Sequence, residues 1–198
     1  MNKRTFIVLI AALSCAILLV GGALIGAAYY LQGNAAAVAA FEPQPKTAPL
    51  QAPAASPLTK GSPAPDFQVV TMDGTPLNLS DFRGKPVVVN FWASWCGPCT
   101  AEMKTIEAVY QKHANDDVVI LAVNQGESDD TIKGYGELWK LNFRLTRDPN
   151  QKAGQLYKAL ALPTTVFVDR DGKVYEYHIG GPMTQEFIEK RVDAMLAQ

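Results

Sequence analysis

Two cysteines separated by two residues stand where a strand gives way to a helix, in the stretch Phe91-Trp92-Ala93-Ser94-Trp95-Cys96-Gly97-Pro98-Cys99. Ahead of them, Val87-Val88-Val89 is an apolar, β-branched run with the pattern of a buried strand. Behind them, Thr100 to Val109 reads as a helix with Met103, Ile106 and Val109 on one face. The spacing puts both thiols in the first helical turn, close enough to close a disulfide. Cys96 then lies among unpaired backbone N–H groups at the positive end of the helix dipole, where a thiolate is stabilised. That arrangement points to thiol–disulfide exchange.

The remaining cysteine, Cys15, stands alone in an apolar run, and three cysteines are too few for a disulfide-stapled scaffold. A thiolate metal site would want further Cys or His ligands at close spacing. The two histidines, His113 and His178, are far from the pair and from each other, and Met72 and Met183 are isolated. Over 198 residues the formal net charge is -1 and no long basic run occurs, so nucleic acid is not an expected partner.

Lys3 and Arg4 precede an uncharged stretch from Phe6 to Leu31. As a helix this stretch would be about 39 Å long, enough to cross a hydrocarbon core with some tilt. Residues 1–32 are therefore expected to be a short cytoplasmic N-terminus and a single transmembrane anchor. A signal peptide cut near Ala35-Ala36-Ala37 is the competitor, but its apolar core is normally shorter. A lipoprotein signal ending at Cys15 is weaker, because Ala12 stands where a larger aliphatic residue is usual. Gly22 and Gly26 have the spacing of a helix-packing pair. The positive residues before the span place everything after Leu31 outside the cytoplasm, in a bacterial periplasm or its equivalent, where disulfides persist. Residues 33–60 shift to Ala, Pro, Gln and Ser, with Pro43, Pro45, Pro49, Pro53 and Pro57 favouring an extended, semi-stiff linker.

Residues 61–198 are long enough to bury a core of their own. Phe67 to Leu79 reads as a hairpin turning at Met72-Asp73-Gly74, followed by a turn at Ser80 to Lys85 and a strand from Pro86 to Phe91. The active helix is expected from Pro98 to His113. Val118 to Val123 is a continuously apolar buried strand. Ser128 caps a helix to about Leu141, Phe143 to Leu145 forms a short strand, and Gln151 to Leu160 a short helix. Thr164 to Val168 and Val174 to His178 form a second hairpin turning at Asp171-Gly172, and Thr184 caps a last helix carrying Phe187, Ile188, Val192 and Met195. Strands alternating with helices give an α/β fold, a mixed sheet with helices on both faces.

The Trp95-Cys96-Gly97-Pro98-Cys99 stretch, with Leu162-Pro163-Thr164-Thr165 before a later strand, resembles the thioredoxin superfamily. The closer resemblance is to its membrane-tethered TlpA/ResA-like (redoxin) branch, which includes cytochrome c maturation proteins. Gly61-Ser62-Pro63-Ala64-Pro65-Asp66-Phe67, Leu79 to Lys85, Val89 to Trp95, and Val123-Asn124 with Gly126-Glu127-Ser128 carry it, over about residues 61–198. The resemblance implies a thioredoxin-like fold with an N-terminal β-hairpin and a strand-helix insertion from about Asn124 to Leu145. It also implies a cis peptide bond before Pro163, packed on the cysteine pair, which exposes the Leu162 backbone to a substrate strand. Thioredoxins have a buried Asp six residues before the first cysteine, and here that position is Asn90. ResA-like proteins use a Glu three residues after the second cysteine, where Glu102 stands.

The expected mechanism is attack of the Cys96 thiolate on a substrate disulfide and resolution of the mixed disulfide by Cys99. Glu102 is expected to be catalytic, relaying the Cys99 proton, with a solvated first-turn acid favoured by the helix dipole as the alternative. Gly97 and Pro98 shape the turn and tune the potential, Trp95 flanks the site, and Trp92 packs inside. The Gly-Pro pair resembles reducing thioredoxins, so a protein-disulfide reductant is expected, with apocytochrome c or another extracytoplasmic client and a membrane electron donor as partners. No cofactor beyond the cysteine pair and no metal is expected. An oxidant or isomerase, a copper-binding module, a peroxidase-type redoxin and a non-enzymatic docking module are the alternatives.

Overall fold

The computed structural model describes residues 58–198. Around the apolar run Val87-Val88-Val89 it builds a seven-stranded mixed sheet. The strands are β1 (Gln68–Thr71), β2 (Pro76–Asn78), β3 (Val87–Trp92), β4 (Val119–Asn124), β5 (Arg144–Arg147), β6 (Thr164–Val168) and β7 (Val174–Ile179). Their spatial order is β2-β1-β5-β4-β3-β6-β7. β3 is thus central, parallel to β4 on one side and antiparallel to β6 on the other. Four α-helices cover the sheet: α1 (Gly97–Lys112), α2 (Asp129–Trp139), α3 (Lys152–Leu156) and α4 (Gln185–Leu196).

The two-residue period of β3 divides its side chains between two cores. Val88 and Trp92 face a layer built by Met103, Ile106 and Val109 of α1, Ile132 and Tyr135 of α2, and Ile188, Val192 and Met195 of α4. Val87, Val89 and Phe91 face the opposite layer, where Phe67, Leu79, Phe82 and Tyr157 pack. The buried sheet therefore has apolar groups on both faces, which is why its central strands read as unbroken apolar runs. Asn90, sharing the Val88 and Trp92 face, is a polar residue aimed at α1.

The leading hairpin forms as expected, with Val69 opposite Leu77, and β1 continues the sheet through β5. Leu58 already packs on the domain, and Lys60 sits over the Tyr175 ring. The insertion expected from about Asn124 to Leu145 holds α2 and runs into β5, in the order read from Ser128 and Phe143. Two expectations need correction. The helix expected over Gln151 to Leu160 is only Lys152–Leu156, because Gln151 and Lys158 both adopt left-handed backbone (φ 51° in each). The strand expected at Phe143 to Leu145 is Arg144–Arg147: Phe143 is a core side chain beside Tyr110, and the ladder to β4 runs on from Leu145 through Thr146 and Arg147, which also pair with β1.

Among the described residues no helix is long and apolar enough to cross a membrane. The anchor expected over 1–32, with Cys15, Gly22 and Gly26, and the linker as far as residue 57 lie outside the described residues.

Candidate active site

Trp92 ends the central strand, and α1 begins five residues later at Gly97. Cys96 is the N-cap of that helix, and its sulfur accepts from the Cys99 N–H at 3.2 Å. Gly97 and Pro98 form the exposed start of the first turn, where a proline costs no helical hydrogen bond. Cys96 and Cys99 are joined by a disulfide, with S–S 2.07 Å and Cα–Cα 5.2 Å. Cys96 is 6% exposed and Cys99 1%, so an incoming group reaches Cys96 first. Reduction frees a Cys96 sulfur that already holds one backbone donor and sits at the positive end of a helix of 16 residues.

One turn along α1, Glu102 is 1% exposed and enclosed by donors from three other elements. Its Oε1 accepts from Asn90 Nδ2 at 3.0 Å and from the Thr165 hydroxyl at 3.2 Å; its Oε2 accepts from the Met183 N–H at 3.3 Å. Asn90 Nδ2 also donates to Thr165 Oγ1 at 2.9 Å, which closes a triangle across β3, β6 and α1. Burial raises the Glu102 carboxyl from 4.5 to about 7, although all three hydrogen bonds pull the other way. Glu102 is therefore not a solvated first-turn acid. It is a buried carboxyl poised near neutrality.

The Leu162–Pro163 peptide is cis, as the resemblance implies. Pro163 is buried and Leu162 half-buried, while the Thr164 hydroxyl donates to Ala161 O at 2.7 Å and ties down the loop. Pro163 and Glu102 meet at Gly181: a Cβ there would lie 2.7 Å from Pro163 Cγ and closer still to Glu102 Oε2. Trp92 is fully buried against Tyr135, whereas Trp95 is 73% exposed. Trp95 joins Leu160, Leu162, Ala159, Gln125 and Gln151 around a groove of about 350 Å3. Leu160 is 91% exposed in it.

Sequence reasoning did not foresee Thr165, Met183 or Gly181 as parts of the site, nor Leu160 beside it. Thr165 stands within the Leu162 to Thr165 motif and had that signal; Met183 acts through its backbone and had none. His113 caps the end of α1 beside Asp116, and His178 packs on Phe187. Among the described residues no three His, Cys, Asp or Glu side chains gather to hold a metal.

A buried cysteine pair on a helix N-terminus, a cis-proline loop and a mixed sheet of this order define a thioredoxin-fold protein that exchanges disulfides. Residues 60–177 match the AhpC/TSA family, and the chain belongs to that family. It is 38% identical over 135 residues to the thiol-disulfide oxidoreductase ResA of Geobacillus kaustophilus, across 68% of this chain and 77% of that one. Among solved structures, a Chlorobium tepidum protein assigned as the thiol:disulfide interchange protein DsbE superposes with TM-score 0.65 at 32% identity, covering 70% of this chain and 99% of that one. A secreted Mycobacterium tuberculosis disulfide oxidoreductase homologous to E. coli DsbE gives 0.58 at 27% identity, over 65% and 95%. With Cys96 and Cys99 in place, the chain is a ResA-like thiol-disulfide oxidoreductase.

Proposed function

We propose that this protein is a membrane-tethered, extracytoplasmic reductant of protein disulfides. The observation that carries the reading is the Cys96–Cys99 pair over a buried Glu102 whose carboxyl titrates at about 7. The Cys96 thiolate attacks one sulfur of a client disulfide; an S–S bond forms to Cys96 and the client's other sulfur leaves as thiolate. Cys99 then gives its proton to the Glu102 carboxylate and attacks Cys96 Sγ. The Cys96–Cys99 bond forms, the client's second sulfur departs, and Glu102 returns the proton. Two electrons pass from the dithiol to the client, and a thiol-type membrane donor restores the pair.

The groove of Trp95, Leu160 and Leu162 receives the client chain, with the Leu162 backbone as its edge partner. The walls named there are apolar or neutral, which suits an unfolded segment presenting apolar residues beside its disulfide. An apocytochrome c cysteine pair is one such client. The domain order is the anchor over 1–32, the linker over 33–60 and the redox domain over 61–198. Support for the tether is the uncharged run from Phe6 to Leu31 behind Lys3 and Arg4.

Equilibration of the full-length protein with glutathione or dithiothreitol tests the direction. A reduction potential near or below about -250 mV is expected of a reductant. A value near about -120 mV would make it an oxidant of client thiols. The Cys99→Ser variant is expected to accumulate a mixed disulfide through Cys96, and the Cys96→Ser variant none.

A further inference from the structure

Between Trp92 and Gly97 the chain has to turn from strand to helix, and the turn carries both Trp95 and Cys96. Its one internal backbone bond is Cys96 N–H to Ala93 O at 3.2 Å. What holds its middle comes from elsewhere. The Ser94 N–H donates to Glu127 Oε2 at 2.7 Å, and the Ser94 hydroxyl donates to Glu127 Oε1. One carboxylate thus grips both donors of a single residue, the fork geometry in which charge-assisted hydrogen bonds are strongest.

Glu127 is itself fixed to the sheet. Asn124, fully buried at the end of β4 and in register with Trp92, donates through Nδ2 to Glu127 Oε2 at 2.6 Å. The Asn124 Oδ1 accepts the Glu127 N–H at 3.0 Å, and Gln125 N–H bonds to Trp92 O at 3.0 Å. Gly126 makes the bend possible: its φ is +86°, and a Cβ there would lie 2.9 Å from Gln151 Nε2. The carboxylate therefore hangs from a short bend anchored to β4. Its other end is one residue from Trp95 and two from Cys96.

All the donors to Glu127 are neutral: the backbone and hydroxyl of Ser94 and the amide of Asn124. A carboxylate whose function was to stabilise the fold by ion pairing would sit opposite a cation, as Glu176 does with Arg191. Glu127 instead grips the segment that presents the attacking sulfur. We propose that Glu127 is a positioning residue for disulfide exchange, holding Ser94 so that Trp95 and Cys96 keep a fixed relation to the client disulfide. The proposal rests on exchange at Cys96 and concerns a residue outside the dithiol, Glu102 and the Pro163 loop.

The test is a double-mutant cycle on the full-length protein, with Glu127→Ala, Ser94→Ala and both together. Insulin-disulfide reduction is measured with dithiothreitol as terminal reductant, and the folded fraction by near-ultraviolet circular dichroism. Each single variant is expected to lower kcat/KM per folded molecule about tenfold, and the pair to lose no more than either alone. Glu127→Gln, which keeps one carbonyl acceptor for Ser94, is expected to recover part of the loss. Wild-type rates in Glu127→Ala, losses that multiply in the double variant, or losses that follow the folded fraction would each overturn the proposal. A Cys96→Ser control separates the two levels: if it still reduces insulin, exchange at Cys96 fails, whatever Glu127 does.

Discussion

Asn90 and Glu102, on the central strand and the active helix, share a hydrogen bond of 3.0 Å in which the amide donates and the carboxyl accepts. The direction matters because an amide takes no proton. In the network of Asn90, Thr165, Glu102 and the Met183 N–H, Glu102 is the one member that titrates near neutrality. In the proposed exchange Cys99 gives its proton to Glu102 once the carboxyl is ionised. Single-turnover reduction of insulin is therefore expected to accelerate as pH rises through about 7, the value to which burial moves Glu102. The Glu102→Gln variant should lose that inflection and run on the order of 100-fold slower above it. An unchanged profile would place the proton acceptor elsewhere.

The same carboxyl sets a pH dependence of stability. In the unfolded chain Glu102 loses its proton near 4.5, and in the disulfide form of the folded chain near 7. Between these values the folded chain holds a proton that the unfolded chain has released, so stability falls as pH rises across that window and levels above it. The full difference from 4.5 to about 7 corresponds to about 3 kcal/mol. Asp117 and Glu189, whose carboxyls are lowered by Lys85 and by Gln185 with Lys112, act with the opposite sign at lower pH. Urea unfolding from pH 4.5 to 8 should show the decline in the wild type and its loss in Glu102→Gln. The slope is the readout rather than the absolute value, because a glutamine in place of Glu102 would turn an amide donor toward either Met183 N–H or Asn90.

Asn90→Asp puts a second carboxyl against Glu102 with only Thr165 and Met183 left to donate. Two adjacent carboxylates cannot both ionise cheaply in a buried site, so one is expected to stay protonated well above 7. The variant should be close to wild type in stability at pH 5 and about 3 kcal/mol less stable at pH 8. Urea unfolding at the two pH values checks this; an equal loss at both would mean the variant acts by packing, not charge.

Much of this site was legible because its signals are local. The β-branched run, the two-residue spacing of the cysteines and the third-residue spacing to Glu102 all lie within one strand and one helix. What sequence could not give was how deeply Glu102 is buried, since that depends on Thr165, 63 residues on, and Met183, 81 residues on. Read locally, Glu102 also fits a solvated helix-start acid. The misjudged length of α3 has a different origin. Apolar Leu156, Ala159 and Leu160 continue a helical pattern, but left-handed Lys158 ends the helix and turns Leu160 outward beside Trp95. Likewise β5 is shifted from Phe143 to Arg144–Arg147 because the apolar pair Phe143 and Leu145 marks a strand locally, whereas Thr146 is buried through its hydroxyl bond to Ala122 O at 3.1 Å.

Gly181 tests how closely the β7–α4 loop must approach Glu102. A methyl group there would overlap Glu102 Oε2 and the Pro163 ring, neither of which has room to retreat. Gly181→Ala is expected to cost about 1–3 kcal/mol and to lift the Met183 N–H away from the carboxyl. It should also move the midpoint of the Glu102→Gln-sensitive pH profile. A variant of wild-type stability and wild-type profile would show that the loop accommodates the methyl by shifting as a unit.

Trp95 and Leu160 are large apolar side chains left 73% and 91% exposed on either side of the same groove. Neither contributes much to the core, so replacing them should leave folding intact and change only what the groove holds. Covering one such side chain with a client residue is worth about 1–2 kcal/mol, or roughly tenfold in binding. Trp95→Ala and Leu160→Ala are each expected to raise KM for insulin by about that factor while kcat changes little. Reduction of a small aromatic disulfide, which cannot span the groove, should stay within about twofold of wild type in Leu160→Ala. Equal losses on both substrates would mean that Leu160 acts on the cysteine pair itself rather than on the polypeptide bound beside it.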